Sequence, residues 1–465
     1  MIKKMAFVYL VHEEKLYLLG DGIVHSVQRR PQLGLQYLSA VLEKKGVKTD
    51  IFDQSVIPFD FDWLSGKLKE FDMVGFYCSD PQENKVKDYS RKIKERLGIP
   101  VLVGGPNTLT NSTFLEDGCD IVVHGEGEKT IQDIVDYYNG ARSIDTIKGI
   151  SYKKDGRVVK SAPQELIQNI DTIPFPDRSK VDINAYHDYF LFGMRKPYIT
   201  MIASRGCAYK CFFCTSHKSW GNKYRRRSVD NVIAEIDEVI GKYGVKYIAF
   251  QDDIFGMTND WIEEFCEKLI KRPYRVRWMA IFHPFSIRTD TERVFRLMKR
   301  AGCDILSFGL QAAHAEVLRG INRDPGEPEA LKRLLKIANR IGFVTAVSYI
   351  FGLPGDTEDT IKKTISYSLN CGSTLANYFM LSILRGSELE GRYRDKRICE
   401  LSDERIESLA EHASKAFYMR PGAILNIACF VLKNPRWLIE VGGNIPAILR
   451  RLSFGKSSRK KENVF

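Results

Sequence analysis

From residue 198 onward the chain repeats one pattern six times: an apolar run of strand length followed by an amphipathic stretch of helix length. The runs fall at 198–203, 246–251, 276–281, 304–309, 344–350 and 376–381. The stretch 229–242 carries Val232, Ile233, Ile236, Val239 and Ile240 at helical spacing, with Ser228 placed as its N-cap. Asp290 is expected to cap a helix through Ala301, and another helix runs from near Asp356 to about Gly372. Consecutive strand–helix units imply a parallel sheet curled into a full or partial barrel, with chemistry in the loops that follow the strands.

A second α/β pattern precedes it. Short apolar runs at 5–11, 48–52, 73–78, 101–103 and 121–123 are separated by helical stretches, among them 33–45 and 84–97. This spacing predicts a doubly wound parallel sheet that binds ligands at the C-terminal ends of its strands. Residues 149–159, centred on Asp155-Gly156, read as a hairpin, and Ile173-Pro174-Phe175-Pro176 as an extended linker. The domains expected are 1–142 (Rossmann-like), 143–197 (hairpin and linker), 198–390 (a partial barrel of six units) and 391–465 (helical and basic).

A chain of 465 residues is long enough for more than one core. Ten cysteines in such a length do not suggest a disulfide framework. Cys78, Cys119, Cys266, Cys303, Cys371, Cys399 and Cys429 stand among apolar neighbours and read as small buried hydrophobes. The formal charge of +12 owes much to Arg450, Arg451, Lys456, Arg459, Lys460 and Lys461, and no nucleic-acid-binding motif accompanies it, so no nucleic-acid partner is expected. The apolar run 424–432 is far shorter than a bilayer span. Together with 417–421, 437–439 and 445–452 it reads either as a packing face over the barrel or as an interfacial helix on anionic lipid. Met1-Ile2-Lys3-Lys4 leads straight into a strand-like run without a small-residue cleavage site, so no signal peptide is expected. A cytoplasmic location is expected, with peripheral contact at the inner membrane face if the tail meets lipid.

The remaining three cysteines are clustered directly after the first strand of the second half: Ser204-Arg205-Gly206-Cys207-Ala208-Tyr209-Lys210-Cys211-Phe212-Phe213-Cys214. Three thiolates on one short loop can ligate three irons of a [4Fe-4S] cluster and leave the fourth open. An open iron can chelate the amino and carboxylate groups of S-adenosylmethionine, and an electron passed to the sulfonium then yields a 5′-deoxyadenosyl radical. A zinc site completed by His217 is the competing reading.

These residues resemble the radical S-adenosylmethionine superfamily. The resemblance implies that Asp252 and Asp253, ending the second strand, receive the methionine amine, and that Gln311, where relatives often carry Glu, faces the ribose. It also implies that the segment containing Gly352-Leu353-Pro354-Gly355 brings backbone to the adenine, with Phe213 packing beside it. With the domain before it, the chain resembles the cobalamin-dependent class, nearest to the branch of anaerobic magnesium-protoporphyrin cyclase and hopanoid-modifying enzymes. The residues that carry this are Gln32-Leu33-Gly34-Leu35-Gln36-Tyr37-Leu38, Val103-Gly104-Gly105-Pro106 and Gly125-Glu126-Gly127-Glu128. In that resemblance Gly104, Gly105, Gly125 and Ser79 lie along the nucleotide tail of cobalamin. No D-x-H-x-x-G segment follows the first strand, so no histidine is expected below the cobalt; His12 lacks the flanking pattern.

The implied activity is cobalamin-dependent C-methylation of an unactivated carbon in a small-molecule or lipid substrate, with an external electron donor such as flavodoxin or ferredoxin. A ring-forming or dehydrogenating radical enzyme and a non-catalytic electron-relay protein are the alternatives.

Overall fold

The computed structural model describes residues 1–11, 28–188, 195–287, 289–393, 396 and 398–425. His12, Cys429 and the apolar and basic tail beyond Leu425 lie outside the described residues.

The first sheet runs through β1 (Lys4–Tyr9), β2 (Lys48–Asp53), β3 (Met73–Tyr77), β4 (Val101–Gly104) and β5 (Ile121–Val123), all parallel, in the order 2-1-3-4-5. Alternation along β1 sends Met5 and Phe7 to one face and Ala6 and Val8 to the other. Helices α1 (Leu33–Lys44) and α4 (Gly127–Tyr138) cover the first face, α2 (Phe61–Leu68) and α3 (Glu83–Leu97) the second. Both faces are therefore buried, as a parallel sheet requires. The chain reverses its winding between β1 and β3, which opens a crevice at the strand ends.

The expected hairpin forms as β6 (Ile150–Lys154) and β7 (Arg157–Lys160), turned by Asp155 at φ 50° and Gly156 at φ 73°. It does not stand apart in a linker. β6 pairs antiparallel with β5 and carries the first sheet on to residue 160.

The second sheet is parallel and sequential: β8 (Tyr198–Met201), β9 (Tyr247–Phe250), β10 (Arg277–Phe282), β11 (Cys303–Gln311), β12 (Val344–Phe351) and β13 (Leu375–Met380). Its helices include α5 (Ser216–Trp220), α6 (Val229–Tyr243), α7 (Asn259–Ile270), α8 (Thr291–Arg300), α9 (Ala315–Gly320), α10 (Glu327–Ile341) and α11 (Glu358–Asn370). Ser228 caps α6 as expected, accepting from the Asn231 N–H at 3.1 Å. Asp290 occupies the N-cap position of α8 at φ 49°, but its side chain accepts no cap hydrogen bond. Thr357 rather than Asp356 caps α11, because the Asp356 carboxylate turns back to the loop before it.

After α12 (Glu388–Tyr393), α13 (Asp403–Tyr418) seals the β13 edge. It buries Ile406, Leu409, Ala410, Ala413 and Phe417 in the barrel core, while the Tyr418 hydroxyl donates to the Ala376 carbonyl at 2.8 Å. Phe417 and Tyr418, where the apolar tail begins, thus pack on the barrel, whereas Met419, Ile424 and Leu425 are exposed. Among the described residues no helix is long and apolar enough to cross a membrane.

Two sets of buried charge tie the domains of the chain together, the first between the linker and the barrel. Arg178, from the linker, donates to Glu235 at 2.6 Å and to the Thr200 carbonyl at 3.1 Å, and Arg227 pairs with the other Glu235 oxygen. The second set lies at the functional site.

Candidate functional site

The loop after β8 carries all three clustered cysteines. Gly206 enters it at φ 89°, where a side chain would collide with the Lys223 carbonyl. The Tyr209 and Ser216 backbone N–H groups reach the Cys207 and Cys214 sulfurs at 3.4 Å each. The Arg323 guanidinium stands 4.0 Å from the Cys211 sulfur. Burial pushes the Cys207 thiol up to about 12 and Cys214 to about 11; Cys211 is also raised by burial, against the opposing pull of Arg323. A cationic cluster would draw such thiols to thiolates, and the donor set fits one. Among the described residues no three His, Cys, Asp or Glu side chains converge on one ion. His217 hydrogen-bonds to the Cys214 backbone.

Asp252 and Asp253 have separate tasks. Asp252 is buried and accepts from the Ala203 N–H at 3.1 Å and from the Ser204 hydroxyl. Burial raises its carboxyl to about 7. It anchors the start of the cysteine loop. Asp253 accepts from the Ser216 hydroxyl at 2.9 Å, just beyond Cys214. Gln251, which precedes them, lines a cavity on the side of the first domain.

Gln311 closes β11 at φ 72°, where the register to β12 shifts. Its amide folds back over Gly309, whose added Cβ would lie 2.6 Å from Nε2. Phe213 packs with Val317, Leu318, Ile321 and Leu353, joining the cysteine loop to the segment holding Gly352. The Asp356 carboxylate accepts from the Gly352 and Leu353 N–H groups at 3.0 and 2.9 Å, and burial raises it to about 6. Cys207, Cys211, Cys214, Phe213 and Asp253 thus gather around one loop, with Gly352 reached through Phe213.

The other centre is a cavity of about 360 Å³ at the C-terminal edge of the first sheet. Met5, Phe7, Gly75 and Leu102 form its floor, and Gly104, Gly105, Gly125 and Gly34 its rim. Gly105 sits at φ 117°, and an added Cβ there would lie 2.6 Å from the Cys78 carbonyl. Side chains on Gly34 or Gly125 would meet no protein atom within 4 Å, so these positions leave room for a guest. A glycine-rimmed crevice of this size at a topological switch suits the inserted nucleotide tail of cobalamin, with the corrin outside it. Ser79 does not line it: its N–H and hydroxyl both bond to Gln82 Oε1 at 2.9 Å.

Arg205, Glu126 and Glu128 stand inside the sequence motifs, but the sequence alone assigns them no role. Arg205, two residues before Cys207, donates to Glu126 at 2.8 Å and pairs with Glu128. Arg225 donates to Glu126 at 2.9 Å and to the Ile167 carbonyl at 2.6 Å. Both arginines and both glutamates are buried. The Arg205 guanidinium stands 5.4 Å from the Tyr37 ring and 5.1 Å from the Trp220 ring, and both rings line the cavity. Arg323 with Glu327, and His283 stacked on Tyr209 at 3.6 Å, were also missed. Acidic residues between glycines, and an arginine inside an otherwise small motif, were the available signals.

Comparison with known proteins matches residues 201–367 to the radical SAM superfamily and residues 22–135 to the B12 binding domain. An uncharacterised methyltransferase of Pyrococcus horikoshii is 29% identical over 423 residues, covering 85% of this chain and 89% of that protein. The anaerobic magnesium-protoporphyrin IX monomethyl ester cyclase of Cereibacter sphaeroides is 26% identical over 362 residues, covering 75% and 58%. The radical S-adenosylmethionine methyltransferase TsrM of Kitasatospora setae, solved with cobalamin and a [4Fe-4S] cluster, superposes with a TM-score of 0.67 at 18% identity, covering 84% of this chain and 74% of that one, a likeness of fold.

Proposed function

Because the chain is a cobalamin-binding radical S-adenosylmethionine enzyme, we propose that it methylates an unactivated carbon of a small-molecule or lipid substrate. The observation that carries this is the shared wall between the two centres: Arg205, Trp220 and Gln251 line the cavity of the first domain from the side of the cysteine loop. Two cofactor sites built back to back suit a reaction that uses both.

When bound, the cluster and S-adenosylmethionine supply a 5′-deoxyadenosyl radical and cobalamin carries a methyl group. The protein's own part is to hold and to exclude. Cys207, Cys211 and Cys214 would hold the cluster, with the Tyr209 and Ser216 N–H groups directed at two of the sulfurs. Asp253 orients Ser216. Gly352 and Leu353 are fixed by Asp356, which presents that backbone without a free N–H to compete for water. The apolar floor of Met5, Phe7 and Leu102 would keep water from the inserted cobalamin tail. A flavodoxin- or ferredoxin-type protein would supply the electron.

The likeness to the magnesium-protoporphyrin cyclase supports ring formation as a second reading. Anaerobically reconstituted protein, reduced with dithionite, should cleave S-adenosylmethionine to 5′-deoxyadenosine, and Cys211→Ala should reduce cleavage to background. Cleavage by that variant would defeat the mechanism. Metabolite extracts incubated with methyl-deuterated S-adenosylmethionine then separate the two readings. A product gaining the labelled methyl supports methylation, whereas one that has lost two hydrogens without label supports cyclisation.

A further inference from the structure

The buried quartet of Arg205, Arg225, Glu126 and Glu128 is charge-balanced and belongs to both domains at once. Glu126 is the N-cap of α4 and Glu128 lies in its first turn, on either side of Gly127, and both line the cobalamin-side cavity. Arg205 lies in the short ladder Ser204–Arg205 against Arg225–Arg226, from which the chain passes directly into the cysteine loop. The linker joins as well, since the Ile167 N–H donates to Glu126 at 2.8 Å and Arg225 returns a bond to the Ile167 carbonyl.

Buried ion pairs seldom add net stability over apolar packing of equal volume, because both charges must leave water. What they supply is direction. A guanidinium held by two carboxylates has one orientation, and a shift of either loop would leave a buried charge unpaired. Tyr37 and Trp220 strengthen this, lying near the Arg205 guanidinium while lining the same cavity. A guest pressing on the glutamate loop or on either ring therefore bears on Arg205, two residues from Cys207.

We infer that this quartet couples the two cofactor sites, so that filling the cobalamin cavity and assembling the cluster each stabilise the other. The inference rests on the cofactor assignment above. Arg205 and Glu126 are positioning residues in it, acting through the loops they join. Linkage makes the effect reciprocal: whatever factor the cluster adds to cobalamin affinity, cobalamin must add to cluster retention.

The test is the ratio of hydroxocobalamin dissociation constants in cluster-free and cluster-reconstituted protein, measured by anaerobic equilibrium titration of the corrin absorbance. The wild type should bind about fivefold or more tighter when the cluster is present, the lower end of typical coupling. Arg205→Lys, which keeps the charge but loses the fork, should bring the ratio towards one. The charge-balanced double variant Glu126→Gln/Arg225→Gln should do the same without leaving a lone buried ion. A merely structural role would weaken binding in both states and leave the ratio alone. A wild-type ratio of one, or a ratio unchanged in both variants, overturns the coupling. Absence of cobalamin binding in both states overturns the cofactor assignment and the coupling with it.

Discussion

At the scale of single residues, the motif cysteines and the glycines of the first sheet were legible because their chemistry or their lack of a side chain is itself the signal. Gly105→Ala tests the latter. A Cβ would meet the Cys78 carbonyl at 2.6 Å in a backbone conformation that alanine resists, so a loss of about 2 kcal/mol or more is expected in urea unfolding, with weaker cobalamin binding. Asp356 gives a pH-dependent outcome. Its folded carboxyl is raised to about 6 by burial, so the native state binds the proton more tightly than the unfolded chain does. The stability this contributes is present below the unfolded value and fades as pH climbs through about 6. Denaturation of wild type and Asp356→Asn at pH 5 and pH 8 should show the wild type's advantage shrinking at the higher pH, by an amount of order 1–2 kcal/mol. An advantage that grows instead would contradict the burial argument. Asp252 and Ser79 illustrate what a motif position cannot reveal. Both fall where the resemblance implies a ligand contact, and each also serves its own loop, Asp252 by accepting from Ala203 and Ser204 and Ser79 by donating to Gln82.

At the scale of elements, all six barrel strands and the five parallel strands of the first sheet follow the periodicity of the sequence. The local exceptions have local causes. Asp290 was expected to accept as a cap, but with its left-handed backbone its carboxylate takes no capping backbone hydrogen bond and instead faces the Arg293 guanidinium at 3.7 Å. The hairpin at 150–160 was legible as a hairpin, but not as an extension of the sheet, because pairing with β5 is a contact between segments that sequence order does not express. Glu235 on α6 is the buried partner of both Arg178 and Arg227. Glu235→Gln leaves two buried cations facing one neutral amide, so a loss of about 3–5 kcal/mol is expected in chemical denaturation. A loss below about 1 kcal/mol would mean that the pair adds little beyond its hydrogen bonds.

At the scale of the molecule, the two sheets are joined through a seam that is also the wall of the cavity. Cobalamin bound there should therefore stabilise the whole chain. At about a hundred times its dissociation constant it should add about 2.7 kcal/mol, seen as a rise in melting temperature that grows with cobalamin concentration. An unmoved melting point under saturation would exclude binding to the folded state alone. The sequence determined the two α/β halves, the cluster loop and the glycine-rimmed strand ends, because periodicity, thiol spacing and missing side chains are properties of neighbouring residues. Only the tertiary structure decided which carboxylates are already engaged, that Gln251 faces the first domain, and that Arg205 is locked to Glu126 and Glu128 some eighty positions earlier. The physical reason is range. Backbone pattern is set within a few residues, whereas the partner of a buried charge is set by whatever the fold brings to it.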